Sequence, residues 1–298
     1  MSKPKILREL ITSKSIVRVG GAFDAMSAKL VEINGFDAVW AGSFAISATY
    51  GLPDASILTM TEFLNVTSNM NEACKIPIIA DCDTGFGGPS NVGHMVKKYE
   101  KAGIAAISIE DKIFPKQNSL LETGIHKLLP EKDFVAKIIA AKNAKQDPNF
   151  MIIARVEALI ANLGMDEAIK RAGAYEMAGA DAIIIHSKKN TPDEIFEFTD
   201  SWKGSAPIVV VPTTYDSVKI SELEAHKIKM VIYANQTLRV AHMAMSRLLK
   251  EMINADHISD VKDKMSTMQD IFSLQEMYDI KNKEKELETE LKKLGYIN

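Results

Sequence analysis

The chain has little of the residue types and patterns that define several large classes of protein. Only two of its 298 residues are cysteines, Cys74 and Cys82, too few for a disulfide framework and not spaced as a zinc site. No apolar run approaches membrane length, and residues 1–5 lack the apolar core of a signal peptide. The net charge is only −3, which indicates neither a nucleic-acid footprint nor a basic face for membranes. We therefore expect a cytoplasmic protein that binds neither nucleic acid nor membrane.

What the chain does have is a regular alternation of short apolar runs and amphipathic stretches. The runs predict eight strands, at 16–19, 38–41, 78–80, 106–109, 151–154, 182–185, 208–211 and 230–233. The stretches between them predict helices at 25–33, 61–73, 91–102, 132–144, 165–178, 192–202 and 217–226. A doubly wound open sheet is the alternative, but no glycine-rich dinucleotide or Walker loop is present. The pattern favours an α/β protein of the (β/α)8 TIM-barrel type, with residues 1–298 as one barrel domain.

A helical extension follows the eighth predicted strand. Residues 236–298 favour helix, and apolar positions recur there at helical spacing, at Met268, Ile271, Phe272, Leu274 and Met277. These side chains need a partner surface. That surface is either the chain's own barrel or another subunit, and we predict that 236–298 is an oligomerisation segment.

Acidic residues end two neighbouring predicted strands. Side chains alternate along a strand, so Asp81 and Asp83 point to one side and Cys82 to the other. Glu110 ends the next strand, and the three acids therefore converge at the carboxyl edge of the barrel. A group of carboxylates without His or Cys partners is typical of a binding site for a hard cation such as Mg²⁺ or Mn²⁺. The alternative is a set of helix caps and surface acids.

The stretch 106–119 changes abruptly from a buried strand to charge. It runs into Glu110, Asp111 and Lys112, then Pro115, and a polar segment follows to about residue 130. Charged groups at the carboxyl end of a parallel strand, followed by a long loop, are how α/β enzymes place catalytic groups under a lid. A solvated turn is the alternative for this stretch taken alone.

Two further strand ends carry groups suited to an anion. Arg155 and His186 follow the fifth and sixth strands and complement a phosphoryl or carboxylate group. After Trp40, small residues can offer backbone N–H groups to a carboxylate. Asp54 either reaches over the mouth or caps the next helix.

Together these motifs resemble the phosphoenolpyruvate mutase branch of the isocitrate lyase superfamily, from about residue 20 to the C-terminus. The resemblance is carried by residues 21–28, 81–87 and 110–112, and by Asn118-Ser119. It implies a Mg²⁺-dependent interconversion of phosphoenolpyruvate and phosphonopyruvate, the step of phosphonate biosynthesis that makes a carbon–phosphorus bond. It also implies a homodimer or homotetramer in which the last helix is exchanged between subunits.

The resemblance further implies a role for each matching residue. Asp81 is the closest Mg²⁺ ligand, with Asp54, Asp83 and Glu110 joined mostly through water. The backbone of Gly42, Ser43 and Phe44 holds the substrate carboxylate, with Trp40 against the pyruvyl unit. Arg155, His186 and Asn118 surround the phosphoryl group, and Lys116 and Asn118 lie on a gating loop. Asp54 is near the reacting phosphorus.

Three rival functions differ from this expectation at identifiable residues. Phosphonopyruvate hydrolases share the loop but carry Thr where this chain has Asn118, so Asn118 favours the mutase. Carbon–carbon lyases of the 2-methylisocitrate type carry a Cys in the lid, and residues 111–130 contain none. A barrel kept only for assembly does not need Asp81, Asp83, Glu110, Arg155 and His186 at one mouth.

Overall fold

The computed structural model describes residues 1–121, 124 and 126–297. Eight parallel strands form a closed barrel in chain order, with the eighth paired to the first. The strands are β1 Val17–Ala22, β2 Ala38–Ala41, β3 Ile78–Asp81, β4 Ala106–Glu110, β5 Met151–Val156, β6 Ala182–Ile185, β7 Ile208–Val210 and β8 Met230–Tyr233. The (β/α)8 barrel predicted from the sequence is confirmed.

Helices precede, separate and follow the strands. Before β8 they are α1 Lys3–Ser13, α2 Ala25–Ile33, α3 Ser43–Thr49, α4 Met60–Ala73, α5 Pro89–Lys101, α6 Glu131–Ala144, α7 Met165–Ala178, α8 Asp193–Ser201 and α9 Ile220–Ala225. After β8 come α10 Gln236–Met252, a 3₁₀ helix Ile258–Lys264, α11 Met268–Leu274 and α12 Met277–Lys293. Among the described residues no helix is both long and apolar enough to cross a membrane.

Two apolar layers hold the barrel together, and they follow from alternation along each strand. In β6, Ile184 belongs to the layer inside the barrel, whereas Ile183 and Ile185 belong to the layer between strands and helices. Leu7 and Ile11 of α1 join the inner layer, so this helix packs on the barrel interior. The packed interior leaves the strand ends as the place for a site.

Two elements were not predicted from the sequence, and four strands, β1, β3, β4 and β5, extend beyond their predicted ends. Neither α1 nor α3 was assigned as a helix. β1 continues through two glycines to Ala22, beyond the predicted end at residue 19. A Cβ on Gly21 would lie 2.3 Å from the carbonyl oxygen of Ala234, so the absence of a side chain allows the first and last strands to approach.

The chain forms two compact units, Met1–Leu238 and Arg239–Asn298, the last residue being outside the described part. The first contains the whole barrel. The second consists of helices and exposes large apolar side chains, among them Val240, Met243, Leu249 and Ile253. The role of residues 236–298 in oligomerisation stays a prediction.

Candidate active site at the carboxyl end of the barrel

The ends of neighbouring strands bring the predicted site residues to one mouth. Asp81 is the last residue of β3 and pairs with Ser108, and Glu110, the last residue of β4, pairs with Arg155 of β5. His186 directly follows β6. Because the strands are parallel and in consecutive order, their carboxyl ends lie side by side at one edge.

Three buried acids line this edge. Asp81, Asp83 and Glu110 are all buried, and Ser43 Oγ donates a 2.9 Å hydrogen bond to Asp81 Oδ2. The strand ends at Asp81, and Asp83 adopts a left-handed backbone with φ of 49°. Cys82 lies on the opposite side, fully buried in the layer beneath the helices, as expected for a core residue.

The ammonium group of Lys116 lies among these acids. Its Nζ is 2.8 Å from Asp54 Oδ1, 2.5 Å from Asp83 Oδ1 and 3.0 Å from Ser43 Oγ. Lys116 belongs to the lid, the name used here for residues 114–121. The backbone N–H of Lys116 donates to Ser56 Oγ at 3.1 Å, which fixes this part of the lid over the mouth.

Asp54 also reaches over the mouth and does not cap the next helix, whose N-cap is Thr59. Asn118 Nδ2 donates a 2.8 Å hydrogen bond to Asp54 Oδ2, while Lys116 contacts Oδ1. Both oxygens of this carboxylate are therefore engaged by lid residues. Residues 122, 123 and 125 of the loop predicted to cover the site lie outside the described residues.

The acids perturb one another's ionisation. Burial, together with the charges of Asp81, Asp54 and Glu110, raises the pKa of Asp83 to about 7, even with Lys116 in contact. At Asp54 burial opposes ionisation as well, but Lys116 and Asn118 keep the pKa below its usual value. Such a cluster favours an added positive charge.

The acid cluster fits a hard divalent cation by its donor chemistry, although its present arrangement is not a finished metal site. In the described part of the chain, no group of three or more His, Cys, Asp or Glu side chains is placed to hold a metal ion. The donors are carboxylate oxygens, and Glu110 Oε1 is buried without a described hydrogen-bond partner. Asp81, Asp83, Glu110 and Asp54 are the residues that could hold such a cation.

On the β5–β6 side, two cations and an imidazole surround one carboxylate. Glu157 accepts from Arg155 Nε, lies 2.9 Å from His186 Nδ1 and 3.1 Å from Lys112 Nζ. Burial opposes its ionisation, but Arg155, Lys112 and His186 hold the pKa of Glu157 well below its usual value. Burial and the charge of Arg155 lower the pKa of His186, so the imidazole is neutral at pH 7.

The hydroxyl of Ser119 connects the lid to this side of the mouth. It accepts from Lys112 Nζ and from Arg155 Nη2 at 2.9 Å, and it donates to Glu157 Oε2 at 2.7 Å. A serine hydroxyl has one donor and two acceptor positions, so all three are used. The lid is thus tied to Arg155 through Ser119 and to Asp54 through Asn118.

The segment after β2 supplies the remaining predicted residues. Gly42 is the N-cap of α3, and Ser43 and Phe44 form its first turn, where leading N–H groups have no partner within the helix. Trp40 is buried, and a Cβ on Gly42 would lie 2.9 Å from its Nε1. Phe44 is 43% exposed.

Several groups at the mouth were not identified as site residues from the sequence. They are the Ser43 hydroxyl, Lys112, Ser119 and Glu157. Glu157 could have been found, because it follows Arg155 by two positions and alternation places both side chains on one face. Lys112 and Ser119 belong to the motifs that carry the resemblance, but their contacts could not be inferred, since Glu157 and Arg155 are distant from them in the chain.

Comparison with known proteins adds the family. A family model described as phosphoenolpyruvate phosphomutase matches residues 7–253. The chain is 40% identical over 279 residues to phosphoenolpyruvate phosphomutase of Tetrahymena pyriformis, covering 94% of this chain and 93% of that protein. It is 42% identical over 276 residues to phosphonopyruvate hydrolase of a Variovorax strain, covering 92% and 95%.

Solved structures give relatives with the same two activities. A crystal structure of phosphoenolpyruvate phosphomutase from Streptomyces platensis subsp. rosaceus superposes with a TM-score of 0.93 at 44% identity, covering 95% of this chain and 98% of that one. A phosphonopyruvate hydrolase in complex with oxalate and Mg²⁺ superposes with a TM-score of 0.89 at 40% identity, with the same coverage. Similarity alone therefore does not separate the two activities.

Proposed function

The chain belongs to the phosphoenolpyruvate phosphomutase family of enzymes, and on that premise we propose that it interconverts phosphoenolpyruvate and phosphonopyruvate with Mg²⁺. The observation that carries this proposal is the contact of Asn118 with Asp54 under the lid. By the resemblance, it joins the residue expected to differ in the hydrolases to a carboxylate expected near the reacting phosphorus.

The reaction moves one phosphoryl group within one molecule. From phosphonopyruvate, the bond between C3 and phosphorus breaks and a bond between phosphorus and the enolate oxygen at C2 forms, so no water is consumed. A loose phosphoryl transition state requires positioning and charge neutralisation more than covalent chemistry. Mg²⁺, when bound, stabilises the negative charge that develops on the pyruvate enolate.

The residues at the mouth divide these tasks. Asp81, Asp83, Glu110 and Asp54 hold the cation. The backbone of Gly42, Ser43 and Phe44 binds the substrate carboxylate, and Trp40 lies against the pyruvyl unit. These assignments are supported by the carboxylate donors at the strand ends and by the first turn of α3, whose leading N–H groups have no partner within the helix.

Arg155, His186 and Asn118 orient the migrating phosphoryl group. The Arg155 guanidinium supplies the positive charge, and Glu157 and Ser119 hold it in place. His186 contributes a neutral imidazole. Lys116 and Asn118 close the lid and keep water away from the phosphoryl group, which would otherwise be lost as phosphate.

Hydrolysis is the second candidate, since a hydrolase is among the similar proteins. A hydrolase must activate water, and a carboxylate near the phosphorus is the natural base for that task. In this chain Lys116 and Asn118 contact the two Asp54 oxygens and keep its pKa below the usual value, which makes this carboxylate a weaker base for water. This arrangement favours transfer within the molecule.

Phosphorus NMR of the purified protein with phosphonopyruvate and Mg²⁺ tests the proposal. We expect the phosphonate signal to be replaced by that of phosphoenolpyruvate. Appearance of inorganic phosphate with pyruvate would establish the hydrolase instead. If neither product forms while Mg²⁺ binds, the lyase substrates become the next to try.

We also propose that the protein is a homodimer or homotetramer assembled through residues 236–298. The exposed apolar side chains of the second unit, such as Leu249 at 63% and Ile253 at 82%, support this. Family membership supports a second copy of the same chain as the partner.

A further inference from the structure

The loop that carries the lid leaves the barrel through a short paired base. The backbone N–H of Ile113 donates to Lys127 at 3.0 Å, the N–H of Leu129 donates to Asp111 at 2.8 Å, and Lys112 and Leu128 form an antiparallel bridge. We call residues 111–113 and 127–129 the neck. Because its two arms are hydrogen-bonded to each other, they hold the lid at a defined place and direction.

One arginine contacts both arms of the neck. Nη1 of Arg171, on α7, lies 3.1 Å from Asp111 Oδ2 on the first arm and 3.1 Å from the carbonyl oxygen of Leu129 on the second. Nε of the same guanidinium donates a 2.7 Å hydrogen bond to Glu167, one turn earlier in the helix. The guanidinium is buried and held at both ends, so its orientation is fixed.

The first arm is also connected to the mouth. Asp111 is completely buried; its Oδ2 accepts from Tyr175 Oη at 2.7 Å, and its Oδ1 accepts from the backbone N–H of Glu157 at 3.0 Å. Glu157 is the carboxylate that holds Arg155. Asp111 therefore links α7, the neck and the phosphoryl side of the site.

Adjacent residues of the neck face opposite ways, as in a strand. Asp111 faces α7 and is bound by Arg171, whereas Lys112 faces the mouth and is bound by Glu157 and Ser119. A shift of the neck by one position would exchange these environments, placing a lysine against Arg171. The observed register of the neck therefore places Lys116, Asn118 and Ser119 of the lid opposite the mouth residues that they contact.

A buried ion pair often adds little to stability, because desolvation of both charges offsets their attraction. What this pair adds is geometry at the base of the lid. We propose that Arg171 is a positioning residue for the lid: it holds the two arms of the neck together, so that the lid closes in one register over the mouth. The expected change in products rests on the proposed function, whereas the expected change in the neck does not.

The test compares Arg171→Met, Arg171→Lys and Tyr175→Phe with Met177→Ala. Met177 is the control, an exposed residue on the same helix. The first readout is hydrogen exchange at the amides of Ile113 and Leu129, without substrate. The second is the fraction of phosphonopyruvate converted to phosphate rather than to phosphoenolpyruvate, measured by phosphorus NMR.

In Arg171→Met we expect exchange at both neck amides to accelerate about tenfold or more, while the barrel strands keep their protection. The phosphate fraction should rise, because a misplaced lid admits water. Arg171→Lys should restore both readouts in part. Tyr175→Phe should affect exchange less than Arg171→Met, since it leaves the contact with Leu129 intact.

Wild-type exchange at the neck in Arg171→Met would overturn the proposal. Acceleration spread evenly over the whole barrel would also overturn it, since that result describes a purely structural role. If the wild-type protein converts neither phosphonopyruvate nor phosphoenolpyruvate, the proposed function fails, and the exchange readout still decides the role of Arg171.

Discussion

The side-chain amide of Asn118 donates a 2.8 Å hydrogen bond to Oδ2 of Asp54, joining the lid to the mouth of the barrel. Removing this bond should release one Asp54 oxygen while every carboxylate proposed to hold the cation stays in the protein. In Asn118→Ala we expect turnover to fall about 10²-fold or more, with Mg²⁺ affinity nearly unchanged. Steady-state kinetics and Mg²⁺ titration calorimetry measure both quantities.

The same position offers a finer substitution. Asn118→Thr replaces the amide by the residue expected in hydrolases, and we expect it to raise the share of phosphate among the products. Unchanged turnover in Asn118→Ala would remove this lid residue from the mechanism.

Lys116 supplies the positive charge inside the acid cluster. In Lys116→Met, Asp54 and Asp83 lose a buried partner, which should cost about 3–5 kcal/mol of stability in the absence of metal. Added Mg²⁺ should then raise the melting temperature of the variant more than that of the wild type. Thermal unfolding with and without Mg²⁺ measures this, and an equal rise in both proteins would contradict the prediction.

The acid cluster should make cation binding depend on pH. The pKa of Asp83 is raised to about 7, so this acid keeps its proton in the metal-free protein over a range where a free Asp is ionised. A bound cation requires the carboxylate. Mg²⁺ affinity should therefore fall about tenfold per unit as the pH drops below about 7, with release of a proton on binding.

Calorimetry in two buffers of different ionisation enthalpy counts the released protons. An affinity that stays constant between about pH 5 and pH 8 would argue against a shared proton in the cluster.

Glu157 is the common partner of Arg155, His186 and Lys112. In Glu157→Gln the shape is kept but the charge is lost, so two buried cations lose their main counter-charge. We expect kcat to fall by about 10²-fold and the melting temperature to drop. Glu224→Gln, which removes a carboxylate on α9 that binds Ser15, is the matched control and should leave kcat at the wild-type level. Full activity of Glu157→Gln would show that groups other than this carboxylate position Arg155.

The second unit should govern assembly. Replacing its exposed Leu249 by Glu should shift the oligomer toward smaller species if residues 236–298 form the contact. Sedimentation velocity of the variant and the wild type gives the answer. If the wild-type protein is a monomer, the proposed assembly is excluded. If the substitution leaves the oligomer intact, the contact lies elsewhere in the chain.

Much of the barrel could be predicted because its physical signals are local. A buried strand in a parallel sheet reads as a short apolar run, and β2, β6 and β8 have the predicted bounds. The helix α3 was not predicted, because it is short and most residues from Ser43 to Thr49, apart from two alanines, have only a weak preference for helix. It forms where the chain turns away from β2.

Part of the candidate site could also be predicted from the sequence, and part could not. Asp81 and Glu110 could be placed at the mouth because the ends of parallel strands meet at one edge. The pairing of Lys116 with Asp54 and Asp83, or of Arg171 with Leu129, could not be predicted, because it depends on how loops far apart in the chain fold over one another. Charged residues in a loop read as solvated until their partners are known.

The position of Lys116 has a consequence for the order in which ligands arrive. Since this ammonium belongs to the lid, a lid that swings away carries its charge out of the mouth and leaves the carboxylates facing water. Such a mouth attracts a divalent cation and repels a doubly charged organic anion. Substrate should therefore follow Mg²⁺ and precede closure. Initial-rate patterns that require the anion to bind before the metal would exclude this sequence of events.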